Sequence, residues 1–126
     1  MMYEILQPVS AHLEEFAATL SKHSLGKTMA IHTAKFFPEL KEVQIALVTV
    51  NENRGTLNQE EVLGFETFRK NFYQLFPGNW TSKIVDLGTI QAGETIEDTY
   101  AAVKMLVADL LKKNILPVVV GGSQDL

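Results

Sequence analysis

The sequence predicts an α/β fold with a parallel sheet, and three apolar segments carry that prediction. These segments are Val43–Val50, Lys83–Leu87 and Pro117–Val120, and each has the length and the β-branched, apolar character of a strand in a parallel sheet. Helical patterns separate the segments. From Val43 onward the order is therefore strand, helix, strand, helix, strand, which favours parallel strands with right-handed crossovers and helices on the sheet faces.

The composition is that of an ordinary globular protein. The chain has 126 residues, of which 46% are hydrophobic and 21% charged, so it fits one small domain or a piece of a larger one. A net charge of -4 offers no electrostatic attraction to nucleic acid or to an anionic membrane, and we expect neither as a partner. There is no cysteine for disulfides or thiolate metal sites. No secretory signal pattern or membrane-spanning run is present, so we expect a cytoplasmic protein.

Residues 1–42 are expected to form a helical lead-in, and residues 43–126 the βαβαβ unit. Ser10 has the side chain of a helix N-cap, and apolar residues follow it at helical spacing, with an end expected around Ser24–Gly26. Met29–Thr33 is compatible with a short extended segment.

The two helices between the strands have different signatures. The first carries apolar residues at helical spacing, which we interpret as core rather than as a cofactor-binding surface: Val62, Phe65, Phe68, Phe72 and Leu75. The second begins with the capping-box pair Thr95 and Asp98. Its predicted core stripe is Ile96, Tyr100, Val103, Val107 and Leu110.

The polar loop after the first strand is one half of the candidate site, because ligands in open α/β sheets bind at the carboxyl ends of strands. Glu52, Asn53 and Arg54 lie in this loop and are candidate ligand contacts. A solvent-exposed turn is the alternative interpretation, and it is the one that such a composition favours. Asp86, near the end of the second strand, is either functional or bound to neighbouring backbone N–H groups, and we prefer the second interpretation.

The segment after the last strand is the other half of the candidate site. Gly121 and Gly122 lack Cβ atoms, so the backbone there can turn sharply and approach a ligand. Ser123 and Asp125 follow within the same segment. We therefore expect these four residues to line the site.

Other catalytic signatures are missing from the sequence. His12, His23 and His32 do not have metal-ligand spacing, so we interpret them as surface or packing residues. No nucleophile elbow and no dinucleotide-binding glycine loop occurs, which removes the residues that a serine hydrolase or a dinucleotide enzyme would need.

Taken in order, the segments resemble the first third of the ureohydrolase family, which comprises arginase, agmatinase and formimidoylglutamase. The resemblance covers Gln44–Leu126 and rests on I-A-L-V-T-V, K-I-V-D-L-G, a long amphipathic helix and I-L-P-V-V-V-G-G-S-Q-D-L. The segments N-E-N-R-G and G-G-S-Q-D-L are most similar to the formimidoylglutamase-type branch. The resemblance implies the amino-terminal part of an arginase-like fold, with a three-layer arrangement of a parallel sheet and flanking helices.

The resemblance also implies a catalytic centre with two manganese ions at the carboxyl ends of the strands. In the family, a metal-bridging hydroxide attacks the amidine or guanidine carbon of a linear substrate. A histidine two residues after the paired glycines ligates one metal in the family, but Gln124 occupies that position here. The other ligands belong to D-x-H-x-D and D-x-D segments that this chain does not contain. We therefore expect no bound manganese, no catalytic residue and no activity from this chain alone.

Three functional hypotheses remain open. The first is the amino-terminal fragment, truncated at Leu126, of a hydrolase that cleaves C–N bonds in linear amidines or guanidines. The second is a metal-depleted, non-catalytic relative that acts as a binding or regulatory protein. The third is a small self-contained α/β binding module. Under the first hypothesis the Pro117 strand would lack its onward partner strand, so we also expect the fragment to self-associate.

Overall fold

The structure, a computed structural model, describes residues 2–52, 64–79 and 81–121. Within these ranges the chain forms a mixed, mostly parallel sheet of five strands with helices packed against it. The strands are β1 (Leu6–Gln7), β2 (Ala30–Ile31), β3 (Ile45–Asn51), β4 (Ile84–Gln91) and β5 (Leu116–Val120). The helices are α1 (Ala11–Ala18), α2 (Leu25–Thr28), α3 (Phe65–Tyr73) and α4 (Ile96–Lys112), and a 3-10 helix covers Met2–Ile5. The predicted α/β class is confirmed.

β4 is the central strand of this sheet. β3 pairs with it in parallel along one side, and β5 pairs in parallel with the far side of β3, giving the order β1-β4-β3-β5. The other side of β4 has two partners: β2 pairs in parallel near Val85, and β1 pairs antiparallel near Ile90. The expected lead-in over residues 1–42 thus contributes two short strands to the sheet as well as helices. β4 also extends past Leu87, where we expected it to end.

β5 is parallel, as predicted, but the expectation that both of its faces are covered is wrong for the part of the chain that the structure describes. Leu116 is 58% exposed, Val118 40% and Val119 37%, and β3 is the strand that pairs with β5. A run of valines predicts a strand but does not distinguish a central position from an edge. Pro117 was the informative residue, because proline in sheets is confined to edges, first positions and bulges.

Two local helix signals are confirmed. Ser10 Oγ accepts a hydrogen bond from the Leu13 N–H at 3.2 Å and caps α1. Thr95 and Asp98 form a reciprocal capping box at the start of α4. α1 nevertheless ends at Ala18, earlier than expected, where the Lys27 side chain binds the Ala18 carbonyl at 2.8 Å.

Apolar clusters lie on both faces of the sheet. On one face, Leu106 and Leu110 of α4 pack with strand residues that include Val48 and Val85. On the other face, residues of α1, α2 and α3 pack around Ile84. The sheet is therefore sandwiched between helices, as its apolar strands require.

The stripe predicted as the core face of α3 is only partly buried. Its described members Phe65, Phe68 and Phe72 are half-buried, and Leu75 is exposed. The α3 residues that face the sheet are Arg69 and Tyr73. Val62 lies outside the described residues. The reason for this difference is that the sheet presents a carboxylate to α3, so the helix turns its polar pair inward.

The buried face of α4 is rotated by a fraction of a turn from the stripe that the sequence predicts. Leu110 is buried as expected, but the other buried residues of this helix are Thr99 and Leu106. The remaining members of the predicted stripe are half-buried on one flank: Ile96, Tyr100, Val103 and Val107.

None of the helices in the described ranges has the length and apolar character that a membrane-spanning helix requires.

Candidate functional site

A bulge in β4 organises the buried polar residues. Leu47 pairs with Asp86, but the next pair in the parallel ladder is Thr49 with Thr89, so β4 contains one residue more than β3 over this interval. Gly88 lies in the bulge with a φ of 92°, a conformation that side chains other than glycine rarely adopt. The bulge lies where the second partner of β4 changes from β2 to β1.

The position of β1 also requires glycine in the bulge. A Cβ atom at Gly88 would lie 2.0 Å from the Gln7 carbonyl oxygen, which belongs to β1. Two backbones therefore approach each other more closely than any side chain would allow. Gly88 is required both by its dihedral angle and by this contact.

Several side chains bind the backbone groups at the bulge, and three of them do so at 2.9 Å or less. His32 Nδ1 lies 2.9 Å from the Leu87 carbonyl oxygen. The Gly88 N–H donates to Asp86 Oδ1 at 2.9 Å, and the Gly88 carbonyl accepts from Arg69 Nη2 at 2.8 Å. Because a carbonyl oxygen can only accept, His32 carries a proton on Nδ1. The preferred interpretation of Asp86 as a partner of neighbouring backbone N–H is confirmed for the Gly88 N–H, but Asp86 also accepts hydrogen bonds from side chains.

Asp86 is also the anionic centre of a buried cluster. Arg69 binds it with both prongs of its guanidinium, Nε to Oδ2 at 2.8 Å and Nη2 to Oδ1 at 2.9 Å. The Tyr73 hydroxyl donates to Asp86 Oδ2 at 2.5 Å, and Arg69 Nη1 donates to Thr49 Oγ1 at 3.0 Å. These four side chains are at most 2% exposed. Burial, followed by the negative charge of Asp86, raises the pKa of Tyr73.

The cluster has no capacity left for a ligand. Asp86 accepts two hydrogen bonds from Arg69, one from Tyr73 and one from Gly88, which matches the number of lone-pair sites on a carboxylate. Across the described ranges, no buried side-chain nitrogen or oxygen lacks a hydrogen-bond partner. The cluster therefore fixes α3 to the bulge and is not itself a binding site.

The carboxyl ends of β3 and β4 present a different set of polar groups. Asn51 Nδ2 donates to Gln91 Oε1 at 2.9 Å, and both amides are exposed to solvent. Glu52 follows directly, but it is 1% exposed and accepts a hydrogen bond from Thr99 Oγ1 at 2.7 Å. Thr99 lies early in α4, so the Glu52 carboxylate is held near the positive end of that helix. Among the described residues, Asn51 and Gln91 therefore offer neutral, accessible amides at this edge.

Gly121 is the predicted site residue that the structure describes at the end of β5. It follows the strand at the same edge of the sheet and is exposed. The other predicted site residues lie outside the described residues: Asn53, Arg54, Gly122, Ser123 and Asp125. Gln124, at the family's histidine position, also lies outside them. The expected convergence of the two loops stays a prediction.

The histidines and acidic residues that are described do not form a metal centre. His12 and His23 are exposed on the surface, and His32 is bound to the bulge. Among residues 2–52, 64–79 and 81–121, no three His, Asp or Glu side chains are grouped so that they could hold a metal ion.

Two adjoining cavities lie at the opposite end of the sheet, beside the first residue of β4. Their volumes are about 280 Å³ and 330 Å³, and both are lined by Leu25, Pro77 and Ile84. The first also has polar lining residues, which include Thr81, Ser82 and Lys83. The second is completed by Phe72, Leu75 and Phe76. Neither cavity is at the edge where the sequence predicts the ligand.

Sequence reasoning missed the roles of Arg69 and Tyr73, although two signals pointed to them. Gly88 follows an apolar strand segment, and glycine within a strand often marks a bulge. Asp86 lies in that same segment, and a buried carboxylate needs a cationic or hydrogen-bonding partner. The partners could have been sought on the preceding helix, where arginine and tyrosine are four residues apart.

Comparison of the chain with protein-family models, with curated proteins and with solved structures gives no match. The resemblance to ureohydrolases therefore rests on the sequence motifs alone.

Proposed function

We propose that the chain is the amino-terminal part of a cytoplasmic ureohydrolase-like protein whose substrate is a linear amidine or guanidine. The order of motifs over Gln44–Leu126 supports this proposal. The structural observation that carries it is the exposed Asn51–Gln91 amide pair at the carboxyl edge, beside Gly121 and the buried Glu52. Amide oxygens accept the N–H groups of an amidinium, so this edge has the chemistry to hold the cationic end of such a molecule.

The described residues do not fit the two-manganese centre that the family implies. His32 is bound to a backbone carbonyl, and all the lone-pair sites of Asp86 are used within the buried cluster. We therefore assign no hydrolytic step to this chain. Its proposed contribution is to bind and orient the amidine or guanidine group, and we propose that it is inactive by itself.

The alternative proposal is a metal-depleted relative that binds its ligand without hydrolysing it. One observation from the sequence favours it: Gln124 occupies the position of the family's histidine. A glutamine carbonyl oxygen is a neutral donor and a weaker ligand for manganese than imidazole. In this case the guanidine would bind at the same edge.

Titration of the isotope-labelled chain with agmatine, followed by NMR, tests the site. We expect the side-chain amide signals of Asn51 and Gln91 and the Gly121 amide to shift. Signals of Ile84 at the amino-end cavities should stay in place. Asn51→Leu should abolish the shifts, whereas Thr81→Leu, at the opposite end of the sheet, should leave them unchanged. Shifts confined to the cavities, or no shifts at all, would contradict the proposed site.

Assays of urea formation and of manganese binding distinguish both proposals from an active enzyme. We expect no urea when the purified chain is incubated with agmatine and manganese chloride, and no stoichiometric manganese after dialysis. Urea formation that EDTA abolishes would contradict the assignment of an inactive chain. Stoichiometric, tight manganese binding would contradict the interpretation of Gln124. Guanidine binding by a longer protein that also forms no urea would favour the metal-depleted alternative.

A further inference from the structure

The two cavities at the amino end of the sheet form one concave site between α2, the end of α3 and the start of β4. Leu25, Pro77 and Ile84 line both of them, and we call the joined space around these residues the amino-end pocket. The two volumes, about 280 Å³ and 330 Å³, are close to the lower limit for small-molecule sites, which range from about 300 to 1,000 Å³. The space is therefore large enough for a small ligand.

Hydrogen bonds hold the walls of the amino-end pocket in place. The Leu25 N–H donates to the Leu75 carbonyl at 2.7 Å, which joins the start of α2 to the chain just after α3. Tyr73, the last residue of α3, is in turn bound to Asp86 of the central strand. Both helices are thus fixed relative to Ile84, so the pocket exists before a ligand enters it, as small-molecule sites usually do.

One half of the pocket is apolar. Phe72, Leu75 and Phe76 complete the second cavity together with the three shared residues. Leu75 is 55% exposed and Phe76 is 66% exposed, so two large apolar side chains border this cavity while remaining open to water. Burying such surface against an apolar molecule is favourable. This half of the pocket therefore fits an apolar tail.

The other half carries a cation and hydroxyl groups. Thr81, Ser82 and Lys83 line the first cavity. The Lys83 ammonium lies 3.5 Å from the Lys41 carbonyl oxygen and forms no ion pair with any described residue. Within the described part of the chain, the side-chain hydroxyls of Thr81 and Ser82 likewise have no hydrogen-bond partner. These three groups are therefore available to bind a polar head group.

The charge around the pocket selects an anion. The chain has 15 acidic residues and a net charge of -4, but none of them falls within residues 16–38 or 67–85, the two segments that build the pocket. The first segment contains three lysines, and the second contains two lysines and an arginine. Arg69 is already paired with Asp86, so the lysines determine the local charge. A positive surface of this kind attracts an anionic ligand and disfavours a cationic one.

We propose that the amino-end pocket binds a small amphipathic monocarboxylate, with its tail against Phe72 and Phe76 and its carboxylate at Lys83. The single lysine in the lining provides one positive charge, which matches a carboxylate better than the nearly doubly charged head of a phosphate monoester. The hydroxyls of Thr81 and Ser82 can donate to the same carboxylate. The pocket lies at the opposite end of the sheet from Asn51 and Gln91, so this inference does not depend on the amidine proposal.

Titration of the isotope-labelled chain with sodium octanoate, followed by NMR, tests the pocket in the natural protein. We expect the signals of Leu25 and Ile84 to shift and those of Asn51 and Gln91 to stay in place. Octylammonium has the same tail with the opposite charge and should bind at least about fivefold more weakly. Equal affinity for the two molecules, shifts at Asn51 and Gln91 instead, or no shift with octanoate would overturn the proposal.

The length of the tail tests the apolar half of the pocket. From hexanoate to heptanoate to octanoate, each added methylene group should lower the dissociation constant about two- to fourfold, because it moves from water to an apolar surface. A dissociation constant that does not change along this series would overturn the placement of the tail.

A matched pair of leucine substitutions locates the tail. Leu75 and Leu111 are both 55% exposed, but Leu75 lines the pocket and Leu111 belongs to α4 on the other face of the sheet. Leu75→Asn should weaken octanoate binding about tenfold, because it replaces apolar contact surface with an amide of similar size. Leu111→Asn should leave the affinity unchanged. Equal effects of the two substitutions would overturn the assignment of the tail to this pocket.

A matched pair of lysine substitutions locates the carboxylate. Lys83→Met keeps an unbranched apolar side chain but removes the ammonium, and it should weaken octanoate binding about fivefold without weakening that of octylammonium. Lys104→Met, at an exposed position on α4, should change neither affinity. Thermal unfolding shows whether each variant is folded. Unchanged octanoate binding by folded Lys83→Met, or an equal loss in Lys104→Met, would overturn the role of Lys83.

Discussion

The β4 bulge and the β5 edge reverse the usual relation between polarity and burial. At the bulge, Arg69, Asp86 and Tyr73 are almost completely buried. At the edge, Leu116 and Val118 are exposed. The difference teaches that burial in this fold follows from having a partner: the polar groups at the bulge are satisfied within the chain, whereas the described residues cover the valines of β5 only in part.

Removing the cation from the bulge should have the largest effect. Arg69→Met leaves the Asp86 carboxylate buried without its ion pair, so the free energy of unfolding should fall by about 3–5 kcal/mol. Urea denaturation followed by circular dichroism measures this loss. Lys22→Met removes an exposed positive charge and should change stability by less than about 0.5 kcal/mol. Similar losses in the two variants would contradict a cluster held by its partners.

Two glycine variants separate backbone strain from close approach. Gly88→Ala combines an unfavourable φ with a clash against Gln7 and should cost about 2–4 kcal/mol. Gly78 also has a positive φ, 64°, but a Cβ atom there meets nothing within 4 Å. Gly78→Ala should therefore cost only about 1 kcal/mol. Equal losses on thermal unfolding would show that the approach of β1 does not restrict the bulge.

The Tyr73 hydroxyl should contribute stability that depends on pH. Tyr73→Phe removes a buried hydrogen bond to a carboxylate and should cost about 1.5–3 kcal/mol at neutral pH. Because burial raises the pKa of Tyr73, the folded state keeps its proton above pH 10, whereas the unfolded tyrosine loses it. The natural protein therefore loses stability as the pH rises. The difference between the two proteins should shrink by about 1.4 kcal/mol per unit above pH 10.

Urea denaturation of both proteins at pH 8 and at pH 11 tests this dependence. Tyr3 and Tyr100 are present in both proteins, so their contributions cancel in the stability difference. A stability difference that is the same at both pH values would contradict it.

The smallest effect is expected at the edge strand. Val118→Thr replaces a partly exposed methyl group with a hydroxyl that water can reach, so stability in dilute solution should change by less than about 0.5 kcal/mol. The same substitution at Val48, which is 1% exposed, buries the hydroxyl and should cost about 1–3 kcal/mol. If the two variants were equally destabilised in chemical denaturation, β5 would be covered within the monomer.

The features that the sequence predicted well are those determined by neighbouring residues. Ser10 and the Thr95–Asp98 pair cap their helices through side chains at most three residues away, and apolar runs identified β3 and β5. The Arg69–Asp86 pair depends on how a helix lies over a sheet, which periodicity does not report. The candidate site was predicted from the rule that ligands bind at strand ends, and of its predicted residues after β5 the structure describes Gly121 alone.

The position of β4 in the sheet has a consequence for synthesis on the ribosome. β1, β2 and β3 form no ladder with one another in the described structure, since each of them pairs with β4. In a nascent chain that ends before Ile84, the first three strands therefore lack the strand with which each of them pairs. We expect the amino-terminal two thirds to emerge without a sheet and to acquire it only when β4 follows, which makes this fold dependent on late, long-range contacts.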